Sequence, residues 1–379
     1  MKFSVKTETL KQMVTKASKA SVNNKMIPLT GLMNIALQDN KLSITTSDAI
    51  NFLTITETDV VGDNFSVVVT TDLFSKLVSK TTSDMVTLDF SNNNLTFTGN
   101  GTYKIDLPID EEGELIKYPT INMPSENVTA GVIKLSTIKN VVLANKPSLA
   151  ITMEAPYLTG YYCNKDTIIS ADSFNICINK VNTFPESVLI SPIVFDLLSM
   201  ADTEDINYLF NDNTIVFITT KLTLVSKNMT GKEDYPIDAI IGYLDNEFPS
   251  NCTLNKTALL NVLDRLSLFI SDFDVNGVYM NFTKEGVRIT SNKGSANELI
   301  PYQGSENFAP FTCLAGVASL KKQVSARSGE LVNIYYGLPD VLKLVDNNVV
   351  QVVALLDDTN DADMEETAIP TEEEISEAI

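Results

Sequence analysis

Histidine and tryptophan are both absent from the 379 residues. Without histidine there is no Ser-His-Asp triad, no Cys-His pair and no zinc site built on imidazole. The four cysteines, Cys163, Cys177, Cys252 and Cys313, include no C-x-x-C pair. Four scattered thiols in a chain of this length make no disulfide framework, so they read as small buried hydrophobes. No apolar run approaches the ~18 residues that span a bilayer. After Met1-Lys2-Phe3-Ser4-Val5 the chain turns polar, so a secretory apolar segment is missing too, and a cytoplasmic protein is expected. Neither G-x-x-x-x-G-K-[ST] nor G-x-G-x-x-G occurs. Carboxylate or lysine chemistry remains open in principle, but no motif proposes it. The expectation is a non-enzyme without metal or cofactor.

What is present is ordinary globular material: 44% hydrophobic and 20% charged residues. The length suggests about two or three domains. The charge is one-sided, with 28 basic against 48 acidic residues and a net charge of -20. Taken whole, that balance argues against nucleic-acid binding, which needs Lys and Arg at phosphates. Its distribution reverses the conclusion.

The chain repeats itself three times. Apolar residues spaced by three and four predict helices over 8–20 (Leu10, Met13, Val14, Ala17), 134–146 (Leu135, Ile138, Val142) and 255–269 (Leu259, Val262, Leu263, Leu266). A strand pair around a polar turn follows each helix: Asp39-Asn40-Lys41, Asn164-Lys165-Asp166 and Lys284-Glu285-Gly286 mark the turns. A second helix is predicted over 70–80, 191–201 and 315–327, with Ser191-Pro192 as a cap and first-turn pair. Alternating strands close each unit. Pro119 and Pro124 lie in one linker, over 115–126, and Pro249 in another, over 243–251.

The six predicted helices hold 13 basic and 4 acidic residues, against 15 and 44 elsewhere. Lys favours helices, but Glu does so equally, and these helices contain one Glu. The split predicts helices gathered on a face that meets a polyanion, with sheets carrying the acidic exterior.

At this point the sequence resembles the bacterial sliding clamp family, the β subunit of the replicative DNA polymerase. The resemblance covers Met1 to about Asp357. It rests on the threefold layout, the opening Met1 to Val5, the loop ending Ile27-Pro28-Leu29, the entry strand Tyr157-Leu158-Thr159-Gly160, and Val352 to Leu356 as a final strand. A divergent virus-encoded member fits the short motifs. The resemblance implies an α+β fold of three tandem DNA-clamp domains, at 1–122, 127–245 and 250–357, followed by an acidic tail at 358–379. It implies a head-to-tail homodimer closing a ring, with helices inside and antiparallel sheets outside, around duplex DNA of any sequence. Candidate DNA contacts are Lys11, Lys16, Lys19, Lys25, Lys76, Lys80, Lys134, Lys139, Lys146, Tyr157, Lys256, Arg265, Lys321, Lys322 and Arg327. Segment 191–201 has no basic residue, a departure from the pattern.

The family also carries a pocket for short linear motifs of the polymerase and the clamp loader. Ala171, Asp172, Ser173, Phe174, Asn175 and Ile176 align with one wall, Pro236, Ile240 and Ile241 with a second, and Val352, Val353, Ala354, Leu355 and Leu356 with a third. Phe174 and Asn175 stand where the family usually has His and Arg. For the dimer interface, Tyr103 and Ile105 match an edge strand, and Leu268 and Phe269 match a helix end.

From Asp357 onward there are 10 acidic and no basic residues, which reads as a solvated, disordered tail. Two rivals stand beside the replicative clamp: an acidic DNA mimic that inhibits nucleic-acid enzymes, and a clamp serving transcription or repair.

Overall fold

The computed structural model describes residues 1–91, 93–270 and 276–357. The chain is α+β, and its element order repeats three times. The first repeat runs β1 (Lys2–Lys6), α1 (Thr7–Ala17), β2 (Leu32–Gln38), β3 (Lys41–Ser47), β4 (Asn51–Glu57), β5 (Phe65–Thr70), α2 (Thr71–Lys80), β6 (Met85–Ser91), β7 (Asn94–Thr98) and β8 (Thr102–Ile105). The second runs β9 (Thr129–Lys134), α3 (Leu135–Ala144), β10 (Tyr161–Cys163), β11 (Ile168–Ala171), β12 (Asn175–Asn179), β13 (Val188–Ile190), α4 (Pro192–Leu198), β14 (Asp205–Phe210), β15 (Thr214–Ile218) and β16 (Leu222–Lys227). An additional helix, α5 (Ile237–Asp245), precedes the third: β17 (Ser250–Asn255), α6 (Lys256–Ser267), β18 (Gly277–Phe282), β19 (Gly286–Ser291), β20 (Asn297–Pro301), β21 (Gly304–Glu306), β22 (Phe311–Gly316), α7 (Val317–Ser325), β23 (Leu331–Tyr336), β24 (Val341–Asp346) and β25 (Val349–Ala354).

The helices form where the sequence places an apolar stripe. On α1, Leu10, Met13, Val14 and Ala17 are buried; on α6, Leu259, Val262, Leu263 and Leu266 are. Each stripe buries a few large side chains at about 1.5–3 kcal/mol apiece. Asn255 caps α6 by accepting a hydrogen bond from the Ala258 amide at 2.9 Å. Ser191 does not cap α4 with its side chain, and Pro192 at the first position starts that helix instead. In the first hairpin, Asp39 and Asn40 adopt φ of 51° and 62°, the double left-handed turn that matches strand twist.

Two compact units divide the chain: residues 1–170 with 179–235, and residues 171–178 with 236–379. Within the first, β1-β6-β7-β8 form one antiparallel sheet and β5-β2-β3-β4 continue into β16-β15-β14-β9. The seam is the β4–β16 pair, with Leu53 opposite Leu224 and Lys221 bonded to Glu57 at 2.9 Å. Within the second, β12-β25-β24-β23-β17-β21 form one sheet and β20-β19-β18-β22 another. The β12–β25 junction repeats the logic of the first seam: the third strand after a repeat's first helix joins the last strand of the next repeat. Each unit has its own apolar core.

The linker read at 243–251 is shorter than expected. α5 runs to Asp245 and β17 starts at Ser250. The acidic tail at 358–379 and the turn residue Asn92 lie outside the described residues.

All four cysteines are buried, as read from the sequence. Burial pushes the thiols of Cys177, Cys252 and Cys313 up to about 12, and Cys163 upward as well. Thiolate is the reactive form. A disulfide reagent at pH 8 is therefore expected to label no thiol in the native protein and four after denaturation. Rapid labelling of even one native thiol would contradict this burial.

Candidate nucleic-acid interface and partner pocket

Helices pair within each repeat, α1 with α2, α3 with α4 and α6 with α7. Polar contacts fasten every pair. Ser18 and Ser75 hydroxyls meet at 2.9 Å, Lys146 bonds Asp196 at 2.7 Å, and Lys321 bonds Asp264. A shallow cavity of about 310 Å³ runs between α1 and α2, lined by Lys11, Thr15, Ser18, Asp72, Ser75 and Lys76 among others.

The candidate cations fall into three groups. Lys11, Lys16, Lys19, Lys25, Lys80, Lys139 and Lys322 have no ion-pair partner among the described residues, and all are at least partly exposed. A second group is tied to carboxylates: Lys76 to Asp72, Lys134 to Asp205, Lys146 to Asp196, Arg265 to Glu298 and Lys321 to Asp264. These pairs are exposed and individually worth little, so a phosphate can displace them. Lys256 donates to the Ser325 and Arg327 carbonyls across the α6–α7 pair.

Arg327 corrects the sequence reading. It is only 3% exposed, and none of its guanidinium nitrogens has a hydrogen-bond partner among the described residues. Burial lowers its pKa to about 10, and Asp346 offsets part of that effect. A side chain so enclosed reaches no phosphate. Its place just after α7, where the chain turns into the core before β23, was invisible to a charge count. Tyr157 is half-buried in the turn Pro156–Thr159, with its ring 6.3 Å from that of Tyr235.

The second feature is a pocket of about 300 Å³ inside the second unit. The turn between β11 and β12 supplies one wall. Asp172 Oδ1 accepts from the Phe174 and Asn175 amides at 2.7 and 2.6 Å, which pins the turn and leaves Phe174 61% exposed. Asn175 is buried and meets the Ser319 hydroxyl on α7 at 2.5 Å. The Ala354 amide donates to the Phe174 carbonyl at 2.8 Å, fixing β25 beside β12. Val352, Ala354 and Leu355 line the cavity, whereas Val353 points into the core, the alternation expected of a strand.

The structure therefore brings Asp172, Ser173, Phe174, Asn175, Ile176, Val352, Ala354 and Leu355 into one cavity. Ala171, Val353 and Leu356 do not line it, nor do Pro236, Ile240 and Ile241. Helix α5 contributes Tyr243 instead, because its turn buries Ile240 and directs the next turn's aromatic ring to the rim. Pro339 and Asp340, from the turn before β24, and Val341, its first residue, complete the lining with Asp357. Nothing local in sequence joins residues 172 and 340, so only the sheet topology reveals them.

Of the sheet edges among the described residues, two lack the neighbour that their counterparts in the other repeats have. β8 ends the sheet β1-β6-β7-β8, and β20 ends the sheet β20-β19-β18-β22. By position in the repeat, β8 corresponds to β16 and β25, and β20 to β4 and β12. Tyr103 on β8 is exposed, while Ile105 is 3% exposed opposite Leu95 and belongs to the unit's own core. This corrects Ile105 as an interface side chain: it lies on the same face as Tyr103 but is covered by the unit's own core, whereas Tyr103 stays exposed. Leu268 and Phe269 follow the end of α6 and are 80% and 52% exposed. Leu299 on β20 is exposed too, and Arg265 holds that strand through Glu298 at 2.7 and 2.6 Å.

Three repeats, each a helix pair packed beside two four-stranded antiparallel sheets, define the DNA-clamp class of fold. Residues 1–120 match the family described as DNA polymerase III beta subunit, N-terminal domain, and 94% of the chain shares the fold of solved bacterial sliding clamps. The DNA polymerase sliding clamp from Bacillus subtilis is similar at 19% identity and a TM-score of 0.82, over 94% of this chain and 99% of that one. The beta chain of DNA polymerase III from Streptococcus pneumoniae is similar at 17% identity and a TM-score of 0.83, with the same coverage. The beta subunit from Thermotoga maritima gives 15% identity and a TM-score of 0.80, again over 94% and 99%. No curated protein sequence matches the chain.

Proposed function

We propose that the protein is a DNA sliding clamp, a non-catalytic processivity factor working in the cytoplasm of a bacterial or virus-infected bacterial cell. Its three repeats act as clamp domains at 1–122, 127–245 and 250–357. Two copies join β8 to β20, twice, and close a ring of six domains around duplex DNA. The observation that carries this reading is the pair of unmatched edges in an otherwise repeated seam. Within the chain, β16 covers β4 and β25 covers β12; β8 and β20 are the one such pair left over among the described residues, and a second copy supplies the partner. Edge strands left bare invite pairing.

The helix lysines without carboxylate partners then touch phosphates, which position DNA without reading its sequence. A ring retains DNA topologically, so contacts weak enough to slide suffice. The pocket beside Phe174 holds short linear motifs of a replicative polymerase and a clamp loader. The distribution of basic residues onto helices speaks against the acidic DNA mimic, which needs no such sorting.

The test has two arms. Light scattering is expected to give about 83 kDa, twice 41.6 kDa. Protein loaded on nicked circular DNA is expected to stay through gel filtration and to leave when the circle is cut. Equal loss from circular and linear DNA would overturn the reading. Leu299→Asp combined with Phe269→Asp, both at exposed positions, is expected to give a folded monomer near 42 kDa.

A further inference from the structure

The geometry points to a preference of the Phe174 pocket for apolar peptide segments flanked by lysine or arginine. This rests on the pocket being the partner site. The cavity is small, about 300 Å³, at the lower end of sites that hold a compact ligand, so it takes a short segment with two or three apolar side chains. Phe174, Ile176, Tyr243, Val352 and Leu355 supply the apolar surface. Every charged residue in the lining is acidic: Asp172, Asp340 and Asp357.

Their roles differ. Asp172 is occupied by the two amides of its own turn, so its charge is fixed in place at the mouth. Asp340 and Asp357 form no ion pair among the described residues. Lys343, the nearby cation on β24, donates to the Leu244 and Asn246 carbonyls and stacks over the Phe248 ring at 4.5 Å, so it is held away from the mouth. The three lining carboxylates favour a cationic peptide over an acidic one.

The experiment uses the full chain and three dye-labelled peptides with one Leu-Val-Leu core, flanked by Lys, Ser or Glu. Fluorescence anisotropy is expected to rank them Lys, Ser, Glu. The Lys peptide should bind about tenfold tighter than the Ser peptide, the sum of a few weak exposed ion pairs. One molar salt should erase the ranking. Asp340→Asn should narrow the Lys advantage and leave the Ser peptide unchanged. Equal binding of all three, lost in Phe174→Ala, would overturn the charge preference and keep the pocket. Binding of all three unaffected by Phe174→Ala would overturn the pocket itself, and with it this preference. A Glu peptide that binds best would overturn the preference outright.

Discussion

Replacing Lys11, Lys16, Lys19, Lys80 and Lys139 together by alanine is expected to cut affinity for a short linear duplex by at least ~10³-fold at 50 mM salt. Each phosphate contact contributes about 0.9 to the slope of log affinity against log salt. Truncating these five lysines should therefore flatten that slope by about 4. All five side chains are at least partly exposed and unpaired with carboxylates among the described residues, so truncation leaves no orphaned charge in the fold. The fold should survive, with an unchanged melting temperature within a degree or two. The same variant is expected to remain on circular DNA once loaded, because in the proposed ring topology, not affinity, holds it there. Filter binding across a salt series, beside the retention assay, checks both halves. An unchanged slope would mean that these helices do not meet DNA.

Arg327→Met is expected to stabilise the protein by about 3 kcal/mol. Its guanidinium is buried and lacks a hydrogen-bond partner among the described residues, an arrangement that costs free energy on folding. Burial on folding lowers its pKa from the ordinary guanidinium range to about 10, and each unit corresponds to about 1.4 kcal/mol. Methionine replaces the aliphatic stem and removes the charge. The sign follows directly. The unfolded guanidinium holds its proton to higher pH than the folded one, so wild-type stability rises as pH climbs past 10. The Met variant lacks that contribution, and its advantage should shrink over the same range. Denaturant titrations at pH 8 and pH 10.5 measure it. A variant less stable than wild type at pH 8 would show that the guanidinium is satisfied after all.

Much of the architecture was legible because it is local. Stripes such as Leu259, Val262, Leu263 and Leu266 announce a helix, and Asp39-Asn40 announces its hairpin. Repetition of one order three times then stands out. Helix α5 did not, since Ile237-Asp238-Ala239-Ile240-Ile241-Gly242 mixes β-branched residues with a glycine, which weakens any helix signal. Half of the pocket was legible, namely Phe174 and its neighbours with Val352 and Ala354. Asp340 and Tyr243 were not, because sheet order alone brings them there. Charge counting found the exposed lysines but could not tell Lys322 from Arg327, five residues apart, since burial is decided by how the chain leaves α7.

In the proposed dimer the two joined edges differ from one another, and that difference sets a handedness of assembly. β8 cannot pair with β8 in the way β16 pairs with β4; each copy must present an unlike end to its neighbour. Copies joined in this way are related by rotation about the axis of the hole, never by a flip. Everything on the front of one copy is then on the front of the other. In the proposed dimer both Phe174 pockets therefore lie on the same side, so two partners could bind at once from one direction.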